Sequence, residues 1–155
     1  MHLRRIFGLL ILISLLNVSD ALGSRVRAKE AKPPCRLQIG DAHLSTDLFE
    51  KSGIRAVKVN ASSICNVPQS SVAITVEIWK TGFLGNHRVG KQTTRSLGTT
   101  YPGSRVNNFS TYRKCLSKTP TNYYGVSYSK ALIGGKWQYA RHVLSEKAIL
   151  LKCGT

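Results

Sequence analysis

Acidic residues are scarce in this chain. Seven Asp and Glu stand against 23 Lys and Arg in 155 residues, a formal charge of +16. A glycoside hydrolase needs two placed carboxylates, and beyond the N-terminal segment only Asp41, Asp47, Glu50, Glu77 and Glu146 could supply them. No Gly-x-Ser-x-Gly occurs, so the nucleophile elbow of a serine hydrolase is missing. There is no Cys-x-x-Cys and no Cys at ligand spacing from a His, which argues against zinc and against a redox-active pair. No apolar run reaches the roughly 20 residues of a membrane-spanning helix. Helical periodicity is absent over long windows. No motif implies a cofactor or a metal.

The longest apolar run is Ile6 to Leu16. It follows a basic start, Met1-His2-Leu3-Arg4-Arg5, and precedes polar Asn17-Val18-Ser19-Asp20 and the small-x-small triplet Ala21-Leu22-Gly23. That order predicts a secretory signal peptide over residues 1–23, cut after Gly23 or Ala21, rather than a transmembrane anchor. Arg4-Arg5-Ile6-Phe7 partly matches a twin-arginine signal, but the short basic region and greasy core favour ordinary export. The expected localisation is secreted, either extracellular or cell-surface associated. Residues 24–155 would then carry 21 Lys/Arg against 6 Asp/Glu.

Cys35, Cys65, Cys115 and Cys153 are an even set in an exported chain, so two disulfides are expected. Three pairings are possible, and the sequential one, Cys35–Cys65 and Cys115–Cys153, is favoured because each bridge would tie the ends of a segment of two or three strands. Ser24 to Pro34 is polar and basic with little to bury, and reads as a mobile arm. The remainder, 35–155, suits a single domain.

Asp41 to Ser52 reads either as a short helix stopped by Gly53 or as a loop. From Ile54 the pattern is β. In Ser71 to Lys80, Val72, Ile74, Val76 and Ile78 fall on one face and Ala73, Thr75, Glu77 and Trp79 on the other. Thr81 to Asn86 is a turn, with Arg88 to Ser96 returning as its hairpin partner. Gly98 to Ser104 reads as a loop and Val106 to Cys115 as a weaker strand. Tyr123 to Ala131 alternates again, Gly134-Gly135 turns, and Trp137 to Val143 and Ala148 to Cys153 close the set. About seven short strands predict an all-β, antiparallel two-sheet sandwich, Ig-like, with a small closed barrel as the alternative.

Two stretches resemble a group of small exported actinobacterial proteins. One is Val57-Lys58-Val59-Asn60-Ala61-Ser62-Ser63-Ile64-Cys65 followed by Val72 to Trp79. The other is Cys115, then Tyr123-Tyr124-Gly125-Val126-Ser127, then Leu151-Lys152-Cys153-Gly154. The resemblance implies a disulfide-bonded β-sandwich of unknown role and supplies no catalytic residues.

The cations therefore lead the functional reading. Arg25, Arg27, Lys29, Lys32 and Arg36 cluster at the arm; Lys80, Arg88, Lys91 and Arg95 flank the central turn; Arg113, Lys114 and Lys118 surround Cys115; Lys130, Lys136, Arg141, Lys147 and Lys152 populate the last strands. They predict attraction to a polyanion, an anionic cell-envelope polymer or lipid surface, with the arm residues as the binding set. Nucleic acid is the weaker partner: six Tyr lie among the cations, the composition of single-strand binders, but Tyr is an ordinary strand residue and export removes the chain from intracellular DNA and RNA. A protein target docked through Tyr123–Ala131 and Trp137–Val143 is an alternative, as an inhibitor or toxin. A small nuclease or hydrolase is another, built from His43, His87 and His142 with Glu77 and Lys91. Trp79 and Trp137 could form a sugar platform if both were exposed. The missing motifs favour a non-enzymatic binding module. Asn60-Ala61-Ser62 and Asn108-Phe109-Ser110 are glycosylation sequons if the source is eukaryotic.

Overall fold

The computed structural model describes residues 33–99 and 101–155. The expected signal peptide and all of the arm before Pro33 lie outside them. Twelve strands and one helix follow in order: β1 Cys35–Ile39, β2 His43–Leu44, α1 Thr46–Ser52, β3 Ala56–Lys58, β4 Ala61–Cys65, β5 Ser71–Gly82, β6 Gly85–Ser96, β7 Arg105–Asn108, β8 Tyr112–Lys114, β9 Ser117–Ile133, β10 Lys136–Tyr139, β11 Val143–Leu144 and β12 Ile149–Gly154. All pairings between them are antiparallel. The fold is an all-β sandwich with one helix in a connection.

The wide layer is built on β9, whose 17 residues pair with β5 along one edge and with β10, β11 and β12 in succession along the other. β6 closes the far side of β5. The narrow layer is three strands deep and broken in the middle. β4 lies between β1 and β7, and β3 lies between β2 and β8. The Gly40 amide donates to the Asn60 carbonyl and the Val59 amide to the Thr111 carbonyl across that break. The break and the succession along β9 account for twelve strands where about seven were expected. Val106–Cys115 and Trp137–Val143 each divide in two, and β1 was not anticipated despite its alternation of Cys35, Leu37 and Ile39 with Arg36 and Gln38.

Val72, Ile74, Val76 and Ile78 of β5 pack against Val57, Val59, Ala61 and Val106 of the narrow layer. Each of these Val and Ile side chains contributes about 1.5–3 kcal/mol by leaving water. The inward face of β9 is less obvious. Tyr124, Val126 and Tyr128 share the outer face; Tyr123, Gly125, Ser127, Ser129 and Ala131 point inward and are buried. Small residues are needed there because the layers approach closely. A Cβ on Gly125 would sit 2.5 Å from Val59 Cγ1 and 2.8 Å from Ile39 Cδ1.

Local chemistry fits the elements. Ser45 caps α1 by accepting from the Leu48 amide, and Gly53 ends it at φ 66°, so the helical reading holds for Thr46–Ser52 but not for Asp41–Ser45, where His43–Leu44 form β2. Gly134 and Gly135, at φ 54° and 76°, make the hairpin turn between β9 and β10 that left-handed residues allow.

The disulfides are Cys35–Cys65 and Cys115–Cys153, the sequential pairing. The first joins directly opposed residues of β1 and β4. The second joins the end of the narrow layer to β12 of the wide one. Beside it, the buried Tyr123 hydroxyl donates to the Cys153 carbonyl at 2.6 Å.

Asn108 ties the layers through polar contacts. Wholly buried at the end of β7, it donates from Nδ2 to the carbonyls of Ile74 in β5 (3.0 Å) and Gln92 in β6 (3.2 Å). Its Oδ1 accepts from the Ser110 amide and hydroxyl and from the Thr111 hydroxyl, the last at 2.9 Å. A glycan on this sequon residue is incompatible with that network. Asn108→Ala should cost about 2–4 kcal/mol in chemical denaturation, since it leaves several buried groups without partners at about 1–3 kcal/mol each. Asn108→Asp should be at least as damaging, because a carboxylate would face two carbonyl oxygens. A loss below about 0.5 kcal/mol for both would refute the role. Gly125→Val should also destabilise, by about 1–3 kcal/mol, through overpacking.

A cationic sheet face and its adjoining cleft

On the outer face of the wide layer, alternation places Thr75, Glu77 and Trp79 of β5 between Lys91 and Arg88 of β6 and Tyr128, Val126 and Tyr124 of β9. Glu77 is the centre of this face. Its side chain is only 8% exposed. Trp79 Nε1 donates to Oε2 at 3.0 Å and Arg88 Nη1 to Oε1 at 2.9 Å. The Tyr128 hydroxyl and Lys91 Nζ each approach Oε1 to 3.4 Å. Burial alone would raise the Glu77 pKa, but the hydrogen bonds from Trp79, Arg88 and Lys91 outweigh it and hold the carboxyl below its ordinary value. The group is an ionised anchor for two cations, not a proton donor.

Around this anchor the rings and cations are ordered. Trp79 stacks on Tyr124 with centroids 6.3 Å apart and planes 19° from parallel. Lys91 Nζ lies 5.6 Å from the Tyr128 ring, and the Tyr128 hydroxyl, followed by Glu77, holds its ammonium pKa above the ordinary value. The His142 ring meets Tyr128 edge-on at 5.1 Å. Further along, Lys130 Nζ lies 4.6 Å from the centre of the Trp137 ring, a cation–π contact.

Beside β6 a cleft of about 460 Å³ opens, lined by Lys91, Gln92, Ser110, Tyr112, Arg113, Lys114 and Leu116. Three cations line it and no carboxylate does. β8 positions Arg113 and Lys114, both exposed, where the broken narrow layer turns past the β6 edge. The sequence marked Lys91 with the central turn and Arg113 and Lys114 with Cys115; the fold brings the two groups together. It did not mark Gln92 or Leu116, which carry no charge and no motif, and it marked Ser110 only as part of a sequon.

The other candidates disperse. Arg36 is exposed on β1, and Arg25, Arg27, Lys29 and Lys32 lie outside the described residues. His43 is on β2, its Nδ1 at 3.1 Å from the Asp41 carbonyl. His87 opposes Lys80, whereas His142 packs on Tyr128, opposite Thr75. Five residues of β5, about 17 Å, separate those points. Trp79 opposes Tyr124 and Trp137 opposes Leu132, about 27 Å apart along β9, so the two indoles do not share one platform. Among the described residues no group of three His, Cys, Asp or Glu side chains is placed to hold a metal, and no helix is long and apolar enough to cross a membrane.

Because folding depresses the Glu77 pKa, the stability it contributes is fully present above the ordinary value of 4.5 and is lost as pH falls through the folded value. Stability should therefore fall with acidification below that point, and Glu77→Gln should flatten this part of the profile while lowering stability at neutral pH. Parallel acid profiles for the two proteins would show that the carboxylate is not the anchor. Urea melts across the acid range make the comparison.

No family model matches this chain, and no curated protein matches it. The comparisons thus give no support to the resemblance to exported actinobacterial proteins. Among solved structures the chain is similar to the solution structure of R. palustris CsgH, at 16% identity, covering 67% of this chain and 88% of that one, with a TM-score of 0.32. A likeness at that level carries no argument about fold or function.

Proposed function

We propose that this chain is an exported, non-enzymatic binding module that associates with anionic polymers or lipid surfaces of a cell envelope. The observation that supports this reading is the cleft in which Lys91, Arg113 and Lys114 gather without a carboxylate. The wider balance agrees: residues 33–155 hold seventeen Lys and Arg against five Asp and Glu. One of those five, Glu77, is already committed to Arg88 and Lys91. Two disulfides suit an oxidising compartment. Each cation near an anionic surface contributes about 1 kcal/mol, and the effect fades beyond a Debye length of about 8 Å at physiological salt. In this reading Arg36 and the arm residues Arg25, Arg27, Lys29 and Lys32 add reach to the cleft.

A second reading, docking of a protein target, is favoured by one observation. Tyr139, Leu144 and Leu150 are exposed on β10, β11 and β12, with Trp137 beside them, so apolar surface is open along the far edge of β9.

Binding of the secreted form to a soluble polyphosphate should weaken steeply from about 50 to about 500 mM salt. Arg113→Gln with Lys114→Gln should weaken it about thirtyfold, in line with loss of roughly 1 kcal/mol per cation. Salt-indifferent binding, or an unchanged affinity in the double variant, would defeat the electrostatic reading. Salt-indifferent capture of a protein that is lost on Trp137→Ala with Tyr139→Ala would establish the second.

A further inference from the structure

The turn joining β5 to β6 carries the wrong residues for its place. Two-residue hairpin turns favour Asn, Asp and Gly, which tolerate left-handed backbone and welcome water. Here the two connecting residues are Phe83 and Leu84, between the paired Gly82 and Gly85. Phe83 is fully exposed and Leu84 is 88% exposed. Neither packs on the other described residues, which gain nothing from their apolar surface. Local chemistry that opposes the fold without a compensating contact is the mark of a functional position.

The hairpin also projects. Pairing of β5 with β9 ends at Lys80 opposite Tyr123, while Thr81 and Gly82 pair only with Asn86 and Gly85 of β6. Every residue from Gly82 to Arg88 is exposed. Because β5 and β12 both run antiparallel to β9, the connection from β8 to β9 lies at the same end of the wide layer. Leu116, in that connection and 78% exposed, hydrogen-bonds through its amide to the Gly154 carbonyl. Cations lie at this end of the wide layer: in the hairpin Lys80, which donates to the Thr155 carbonyl, and Arg88, which pairs with Glu77, and on β9 and β12 the exposed Lys118 and Lys152. Between Trp79 and Arg88 there is no carboxylate.

Apolar side chains at the extremity of a hairpin, with exposed cations at the same end of the layer, suit an anionic bilayer, with acyl chains within and negative headgroups outside. We propose that the Phe83–Leu84 tip inserts into the interfacial region of an anionic lipid bilayer while Lys118 and Lys152, exposed at the same end of the layer, meet its headgroups. For its electrostatic half this rests on the polyanion reading above; the insertion is a separate property of the tip.

The test measures partitioning of the secreted form onto phosphatidylglycerol–phosphatidylcholine vesicles, onto pure phosphatidylcholine vesicles and onto soluble polyphosphate. The wild type should bind the anionic vesicles far better than the neutral ones. Phe83→Ser with Leu84→Ser should reduce binding to anionic vesicles at least about tenfold, leave polyphosphate binding unchanged, and leave the melting temperature unchanged because neither side chain is packed. In Phe83→Trp, emission should shift to the blue on anionic vesicles and be quenched by brominated acyl chains. Equal vesicle binding by wild type and double variant, or no quenching in Phe83→Trp, would overturn the insertion. Wild type that binds polyphosphate but not vesicles would overturn it while leaving the polyanion reading intact. Failure to bind either would remove both.

Discussion

The sandwich depends on one buried amide. Apolar contact alone would hold a wide sheet and a narrow, interrupted one together without fixing their relative position, because dispersion and the hydrophobic effect are non-directional. Asn108 supplies direction. Its nitrogen reaches two carbonyls on adjacent strands of the wide layer, and its oxygen organises the kink at Ser110 and Thr111. The kink in turn lets β8 swing past the β6 edge, which is what opens the cationic cleft. The same side chain thus sets the register between layers and the geometry of the candidate site.

Glu77 does for the outer face what Asn108 does for the interior. A face bearing several cations repels itself, and its side chains would otherwise spread into solvent. A single carboxylate, kept ionised by an indole and two cations, draws Arg88 and Lys91 inward and holds Lys91 at the rim of the cleft. The cost is that these two charges are partly neutralised. Arg113 and Lys114, which face no carboxylate among the described residues, retain their full field.

Much of the fold was legible in the sequence because period two is a direct consequence of strand geometry. Val72 to Ile78 announced the core strand, and the Cys positions gave the correct pairing because each pair closes a contiguous group of strands. The orientation of β9 was harder. Tyr124, Val126 and Tyr128 look like a core face, yet Gly125, Ser127 and Ser129 are the ones buried, since the separation of the layers decides side-chain size there and no local pattern encodes that separation. The interruption of the narrow layer was likewise hidden, because Asn108 reads as a polar strand residue until its two distant carbonyl partners are known. For the site, individual cations were visible but their convergence was not: Lys91 lies more than twenty residues from Arg113 in sequence and meets it only through the fold.

The unequal edges of β9 bear on how the molecule breathes. Along β5 its hydrogen bonds form one uninterrupted ladder, so opening any rung strains its neighbours. Along the other edge the ladder is laid in three separate pieces, with joints between Tyr139 and Val143 and between Leu144 and Ile149. Each piece is short and can detach without disturbing the next, so β10 and β11 form the low-energy end of the opening spectrum. β12, clasped by Cys115–Cys153 and by the Tyr123 hydroxyl, stays locked to the core. The molecule therefore pairs a rigid half, carrying the hairpin and the cleft, with an edge whose aromatic residues can rearrange on a faster clock than the fold that carries them.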